Sequence, residues 1–67
     1  MRQFGIRLKI LREEKRLSFK ELSTITGIPI YNLRNWENGA DTSAANIVKL
    51  AKFFGITTDY LLGITPT

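Results

Sequence analysis

Residues 17–39 read LSFKELSTITGIPIYNLRNWENG, and the spacing of a few residues inside this stretch decides the fold. Ser18 precedes Glu21 by three positions, the signature of a capping box: the hydroxyl accepts the backbone N–H three residues on, and the carboxylate reaches back to the N–H of the cap. A short helix therefore starts after Ser18, carries Leu22 and runs to about Thr26, with Leu17 as the hydrophobic residue before the cap. Gly27 stops it, because a left-handed backbone costs glycine no Cβ clash. Pro29 suits the start of the next helix, where its missing N–H would have no partner in any case. That helix runs from Pro29 to about Glu37 and ends at Asn38-Gly39.

Working outward, Phe4, Leu8, Leu11 and Lys15 fall on one stripe at spacings of four, three and four, which predicts an amphipathic helix over residues 2 to about 15. The stem of Lys15 lies along its apolar edge. Downstream, Ser43 or Thr42 caps a helix that turns Ile47, Leu50, Ala51 and Phe54 inward, and Gly55 closes it. Thr58 or Thr57 caps a last turn ending at Gly63. With no alternating β pattern, no repeat and no low-complexity linker, the expectation is an all-α, compact five-helix bundle: one domain over residues 1–63, followed by a frayed tail over 64–67. The expected core is Phe4, Leu8, Leu11, Leu17, Leu22, Ile25, Ile28, Leu33, Trp36, Ile47, Leu50, Phe54, Ile56 and Leu61. A core of this size supplies only about 3–5 kcal/mol net. A cavity at Leu33 or Leu50, worth about 2–5 kcal/mol, is enough to unfold the chain.

Composition narrows the function classes. The 67 residues include no Cys and no His, which removes disulfide frameworks, thiolate nucleophiles, zinc fingers and imidazole acid–base chemistry together. The two Asp and four Glu converge at no recognisable spacing, so catalysis is the least supported class, and neither a metal nor a cofactor is expected. No uncharged apolar stretch approaches the roughly 20 residues of a bilayer span. Arg7, Lys9 and Arg12 interrupt every apolar run near the start, so no signal peptide is read, and a soluble, cytoplasmic protein is expected. Net charge is +4, and its distribution is more telling: residues 1–20 carry +5 and the rest −1. A polyanion would meet the N-terminal third first.

The stretch quoted at the outset resembles the helix-turn-helix of the phage Cro and CI repressor-like family, the XRE-type transcriptional regulators. Ser23 takes the small-residue position of the second helix, Gly27 the turn, Leu33 the buried position of the third, and Trp36-Glu37-Asn38-Gly39 the family's W-E-x-G ending. Arg7-Leu8-Lys9 with Leu11-Arg12 is similar to the family's first helix. Leu50-Ala51-Lys52-Phe53-Phe54-Gly55-Ile56 and Asp59-Tyr60-Leu61-Leu62-Gly63 are similar to its last two. The resemblance covers nearly the whole chain. It implies the lambda-repressor-like DNA-binding fold and a sequence-specific regulator, most simply a repressor, that reads the major groove of double-stranded DNA with the helix at about 29–37. Helical geometry agrees: if Leu33 and Trp36 face the core, steps of 100° put Tyr31 and Asn35 outward, with Asn32 and Arg34 on the flanks and Ile30 at the tip.

By resemblance, the base-reading positions fall on Ile30, Tyr31, Arg34 and Asn35. Arg34 suits guanine O6 and N7, Asn35 adenine N6 and N7, and Ile30 a thymine methyl, each contact discriminating by roughly 1–3 kcal/mol. Phosphate contacts are expected at the starts of the second and third helices, from the positions of Phe19, Lys20, Asn32 and Asn38. The resemblance also pairs Arg12 with Glu37 in a partly buried ion pair tying the first helix to the end of the third. The chain departs from the family in several places: the pair Ile30 and Tyr31 is less polar than its usual reading surface, and the loop Ala40-Asp41-Thr42 lacks the basic residues often seen there. Phe19 stands where Gln is common, Pro29 replaces the usual Ser or Thr cap, and Arg16 stands where glycine often ends the first helix.

A small apolar pair, Ile6 and Ile10, lies on the first helix away from its core stripe, and Phe53, Tyr60 and Leu62 form a second candidate patch. These are either incidental surface or a partner or dimer contact. A single domain buries too little surface for high specificity, so the expected working form is a homodimer on a two-fold-symmetric operator. The alternative to a DNA reader is a protein-binding module on the same fold, an antirepressor or antitoxin-like component, because Ile30 and Tyr31 fit a protein surface as well as thymine methyls.

Overall fold

In the computed structural model, which describes residues 1–65, helix α1 spans Arg2–Glu14 and lays Phe4, Leu8 and Leu11 into the interior. It ends at Lys15, after which Arg16 takes a left-handed backbone with φ 55°. That reversal lets the Leu17 N–H reach the Arg12 carbonyl at 3.1 Å and the Arg16 N–H reach the Glu13 carbonyl at 2.9 Å. The helix end is thereby closed with arginine in a glycine conformation, at a cost of about 1 kcal/mol.

Helix α2 (Phe19–Thr26) starts on the expected capping box: the Glu21 N–H donates to the Ser18 hydroxyl at 3.0 Å, and the Ser18 N–H donates to the Glu21 carboxylate at 2.9 Å. Gly27, with φ 75°, turns the chain into α3 (Ile30–Glu37). Pro29 is the residue before that helix, not its first: its ψ of 141° is extended, while its carbonyl accepts from the Asn32 and Leu33 N–H groups. Ser43, not Thr42, caps α4 (Ala44–Phe54), and Thr57, not Thr58, caps α5 (Thr58–Leu62). In each case the side chain accepting the N–H three residues on belongs to the extended residue just before the helix.

The helices pack α1 on α3 and α5, α2 on α3 and α4, and α4 on α5, in a body of 28 × 21 × 19 Å. The centre consists of Phe4, Leu8, Leu11, Leu22, Ile28, Leu33, Trp36, Ile47, Leu50, Ala51 and Leu61, with Leu17, Phe54 and Ile56 half-buried against it. Ile25 does not join them. It is 57% exposed, because α2 turns Leu22 and Thr26 inward and leaves Ile25 on the rim. Thr26 is buried in its stead, its hydroxyl satisfied within the fold by donating to the Leu22 carbonyl at 2.7 Å and accepting from the Ile28 N–H at 3.3 Å.

Two hydrogen bonds engage the start of the expected tail. The Ile64 N–H donates to the Asp59 carbonyl at 2.9 Å, and the Thr65 carbonyl accepts from Arg7 at 3.2 Å. The last two tail positions, 66 and 67, lie outside the described residues. No helix among the described residues is long and apolar enough to cross a membrane.

Candidate nucleic-acid interface

The inner face of α3 is pinned in the core. Leu33 has no exposed surface, Trp36 has almost none, and the Trp36 ring meets Phe4 at 5.8 Å between centroids, inclined by 55°. At the C-terminal end, the Ala40 N–H donates to the Asn35 carbonyl at 2.9 Å and the Gly39 N–H to the Trp36 carbonyl at 3.0 Å, with Gly39 left-handed. These two bonds close the helix and set the direction of the following loop. The Met1 amino group ties that loop to α1 through the Gly39 carbonyl (2.8 Å) and the Asp41 carboxylate (2.7 Å).

A buried ion pair fixes α3 against its neighbours. Arg12 Nε and Nη2 donate to the two carboxylate oxygens of Glu37 at 2.8 and 3.1 Å, and Nη1 donates to the Leu17 carbonyl at 2.9 Å. Only 12% and 6% of the two side chains is exposed. The hydrogen-bonded Glu37 carboxylate raises the Arg12 pKa above its ordinary value against the opposing effect of burial. One guanidinium thus joins α1, the approach to α2 and the end of α3. The pairing expected from resemblance is present in bidentate form.

With the inner face held, α3 turns Tyr31 and Arg34 to solvent; Tyr31 is 73% exposed. Asn35, Ile30 and Asn32 are half-buried along the edges, and Asn38 is exposed at the end. Lys20 is exposed on the first turn of α2. The starts of both helices carry free donors. In α2 the cap accounts for the Glu21 N–H and leaves those of Phe19 and Lys20 without a partner inside the helix. In α3 no side chain caps the first turn, so the Ile30 and Tyr31 N–H groups are likewise open.

Between α1, α2 and α3 lies a cavity of about 290 Å³ lined by Lys9, Arg12, Phe19, Arg34, Glu37 and Asn38. Arg12 and Glu37 neutralise each other, so Lys9 and Arg34 set the sign of its rim. The place of Lys9 three residues before Arg12, on the same side of α1, brings it here. Phe19 enters differently from its expectation. Its side chain has no hydrogen-bonding group, and its ring lies under the guanidinium carbons of Arg12, at 4.2 Å from the centroid, and Arg34, at 5.6 Å. The donor that Phe19 offers is its backbone N–H alone.

The two apolar patches differ in character. Ile6 and Ile10 are exposed at 41% and 43% on the outer face of α1. Phe53, Tyr60 and Leu62 are half-buried against the core. Phe53 stands edge-on to Phe54, and the Arg7 guanidinium covers the Tyr60 ring at 4.4 Å, so this second patch offers little open apolar surface.

Residues 5–63 match the family model described as a helix-turn-helix domain. No curated protein and no solved structure gives a significant match. The matched span takes in α2, the Gly27 turn and α3 with the helices that hold them, and the chain belongs to the helix-turn-helix family of XRE, Cro-like type, a domain of DNA-binding transcription regulators.

Proposed function

We propose that the chain is a sequence-specific regulator of transcription, a repressor, that docks α3 in the major groove of double-stranded DNA. The observation that carries this reading is the division of α3: Leu33 and Trp36 are locked in the core while Tyr31 and Arg34 stand clear of it, one turn apart or less on a rigid rod. Arg34 reads guanine, Asn35 adenine, and Ile30 and Tyr31 the apolar edge of thymine. Lys20, Asn32, Asn38 and the open N–H groups at Phe19 take phosphates and set the register. The working form is a homodimer on a two-fold-symmetric operator in the cytoplasm, with Ile6 and Ile10 as its candidate contact.

The test is selection from a random duplex pool, followed by binding at several salt concentrations. A short enriched site, with log affinity falling linearly against log salt, is the expected result. Failure to enrich any site removes the reading.

A second reading, a protein-binding module on the same fold, is favoured by one observation: Ile25 and Tyr31 are the most exposed large apolar side chains of α2 and α3. It predicts that Ile30→Ala and Tyr31→Ala weaken a protein complex which added duplex DNA leaves unchanged.

A further inference from the structure

The two arginines over the Phe19 ring are held in different ways. Arg12 uses its donors on Glu37 and the Leu17 carbonyl. Arg34 forms no hydrogen bond and no ion pair among the described residues, and its contact is the ring face, 5.6 Å from guanidinium carbon to centroid. The ring itself is anchored, because Phe19 packs against the core and Arg12 lies over it at 4.2 Å. Since Glu37 neutralises Arg12, the second cation meets the aromatic quadrupole with little opposing charge.

A guanidinium held over a ring by its charge spends no N–H group on a hydrogen bond, so the Arg34 donors stay available. A bidentate acceptor such as guanine O6 and N7 requires two such unspent donors. Binding through an unrestrained arginine loses side-chain entropy, and a ring that restrains it beforehand lowers that loss.

We infer that Phe19 is a positioning residue for base selection: its ring holds the Arg34 guanidinium beside α3, ready to fork onto a guanine, without Phe19 touching a base. The inference rests on the reading of α3 as the base-reading helix. The aromatic ring, rather than apolar bulk at position 19, carries the effect.

The experiment compares the full chain with Phe19→Leu, Phe19→Tyr, Arg34→Ala and the double variant Phe19→Leu with Arg34→Ala on duplexes differing at single base pairs. Arg34→Ala identifies the position that Arg34 reads. Phe19→Leu is expected to lower discrimination at that position alone, by about two- to fivefold, Phe19→Tyr to retain it, and Phe19→Leu to do nothing further once Arg34 is alanine. Unchanged discrimination in Phe19→Leu, or equal weakening of every sequence, overturns the inference while leaving the DNA reading intact. If the unmodified chain prefers no duplex sequence, the DNA reading falls and this inference with it.

A measurement on the unmodified chain covers the case in which Phe19→Leu does not fold. Nitrogen relaxation should show the Arg34 Nε–H more restrained than that of Arg2, an exposed arginine at the start of α1. Equal mobility of the two would count against the ring's role.

Discussion

Gly5 lies directly under the carbonyl of Trp36: a Cβ built on it would run into that oxygen and come within 3.3 Å of the Glu37 Cα. The contact is backbone to backbone between α1 and the end of α3, so no side chain can rotate away to relieve it. A glycine inside a helix costs about 1 kcal/mol relative to alanine, and here it permits the close crossing that brings Arg12 to Glu37. Gly5→Ala is therefore expected to destabilise despite its better helix propensity, by about 1–3 kcal/mol, the usual cost of overpacking. Thermal melting followed by circular dichroism checks the sign; a rise in midpoint would contradict the crossing described.

Removing one partner of the Arg12–Glu37 pair leaves a largely buried charge unpaired, which costs about 3–5 kcal/mol. That equals the whole stability expected of a core this small. Glu37→Ala should leave the chain unfolded or nearly so at 25 °C by urea titration. Replacing both residues, Arg12→Met with Glu37→Leu, should recover much of the loss, since no charge is then stranded.

The carboxylate of Glu21 is held below its ordinary value of 4.5 by hydrogen bonds from the Ser18 backbone and hydroxyl. Because the folded value is the lower one, the cap's contribution is complete above the unfolded carboxylate pKa and disappears as pH falls through the folded value. Stability measured by denaturant titration down the acid limb should decline less steeply in Glu21→Gln than in the unmodified chain. Parallel acid limbs would show that the carboxylate does not contribute this way.

Arg16 sits at φ 55° with its backbone already closing α1. Arg16→Gly removes the Cβ clash of the left-handed conformation, and the greater freedom glycine has in the unfolded chain offsets part of that gain. A net stabilisation of about 0.5–1 kcal/mol is expected, read as a higher midpoint in the same thermal melt.

Much of this fold was legible one element at a time. Ser18 and Glu21, Gly27, Gly39, Gly55 and Gly63 act on backbone groups within about five residues of themselves, so helix starts and ends followed from spacing alone. The outward setting of Tyr31 followed from the inward setting of Leu33 and Trp36 by helical period, whereas Asn35, expected outward beside it, is half-buried and Arg34, expected on the flank, is exposed. Where periodicity met chemistry it misled: Thr26 is buried and Ile25 is not, because the hydroxyl finds its partners in the adjacent turn.

Tertiary structure alone decided the rest. Gly5 matters only because α3 crosses at that point, Lys9 shares a cavity with Arg34 only because α1 and α3 converge, and Phe19 holds a guanidinium only because α2 turns it toward both arginines. Each of these contacts depends on the distance and angle between helices, which packing of the whole core sets and no local run of residues encodes. Residue order and spacing set which segments are helices and which face of each is apolar; the approach of those faces set what the remaining side chains touch.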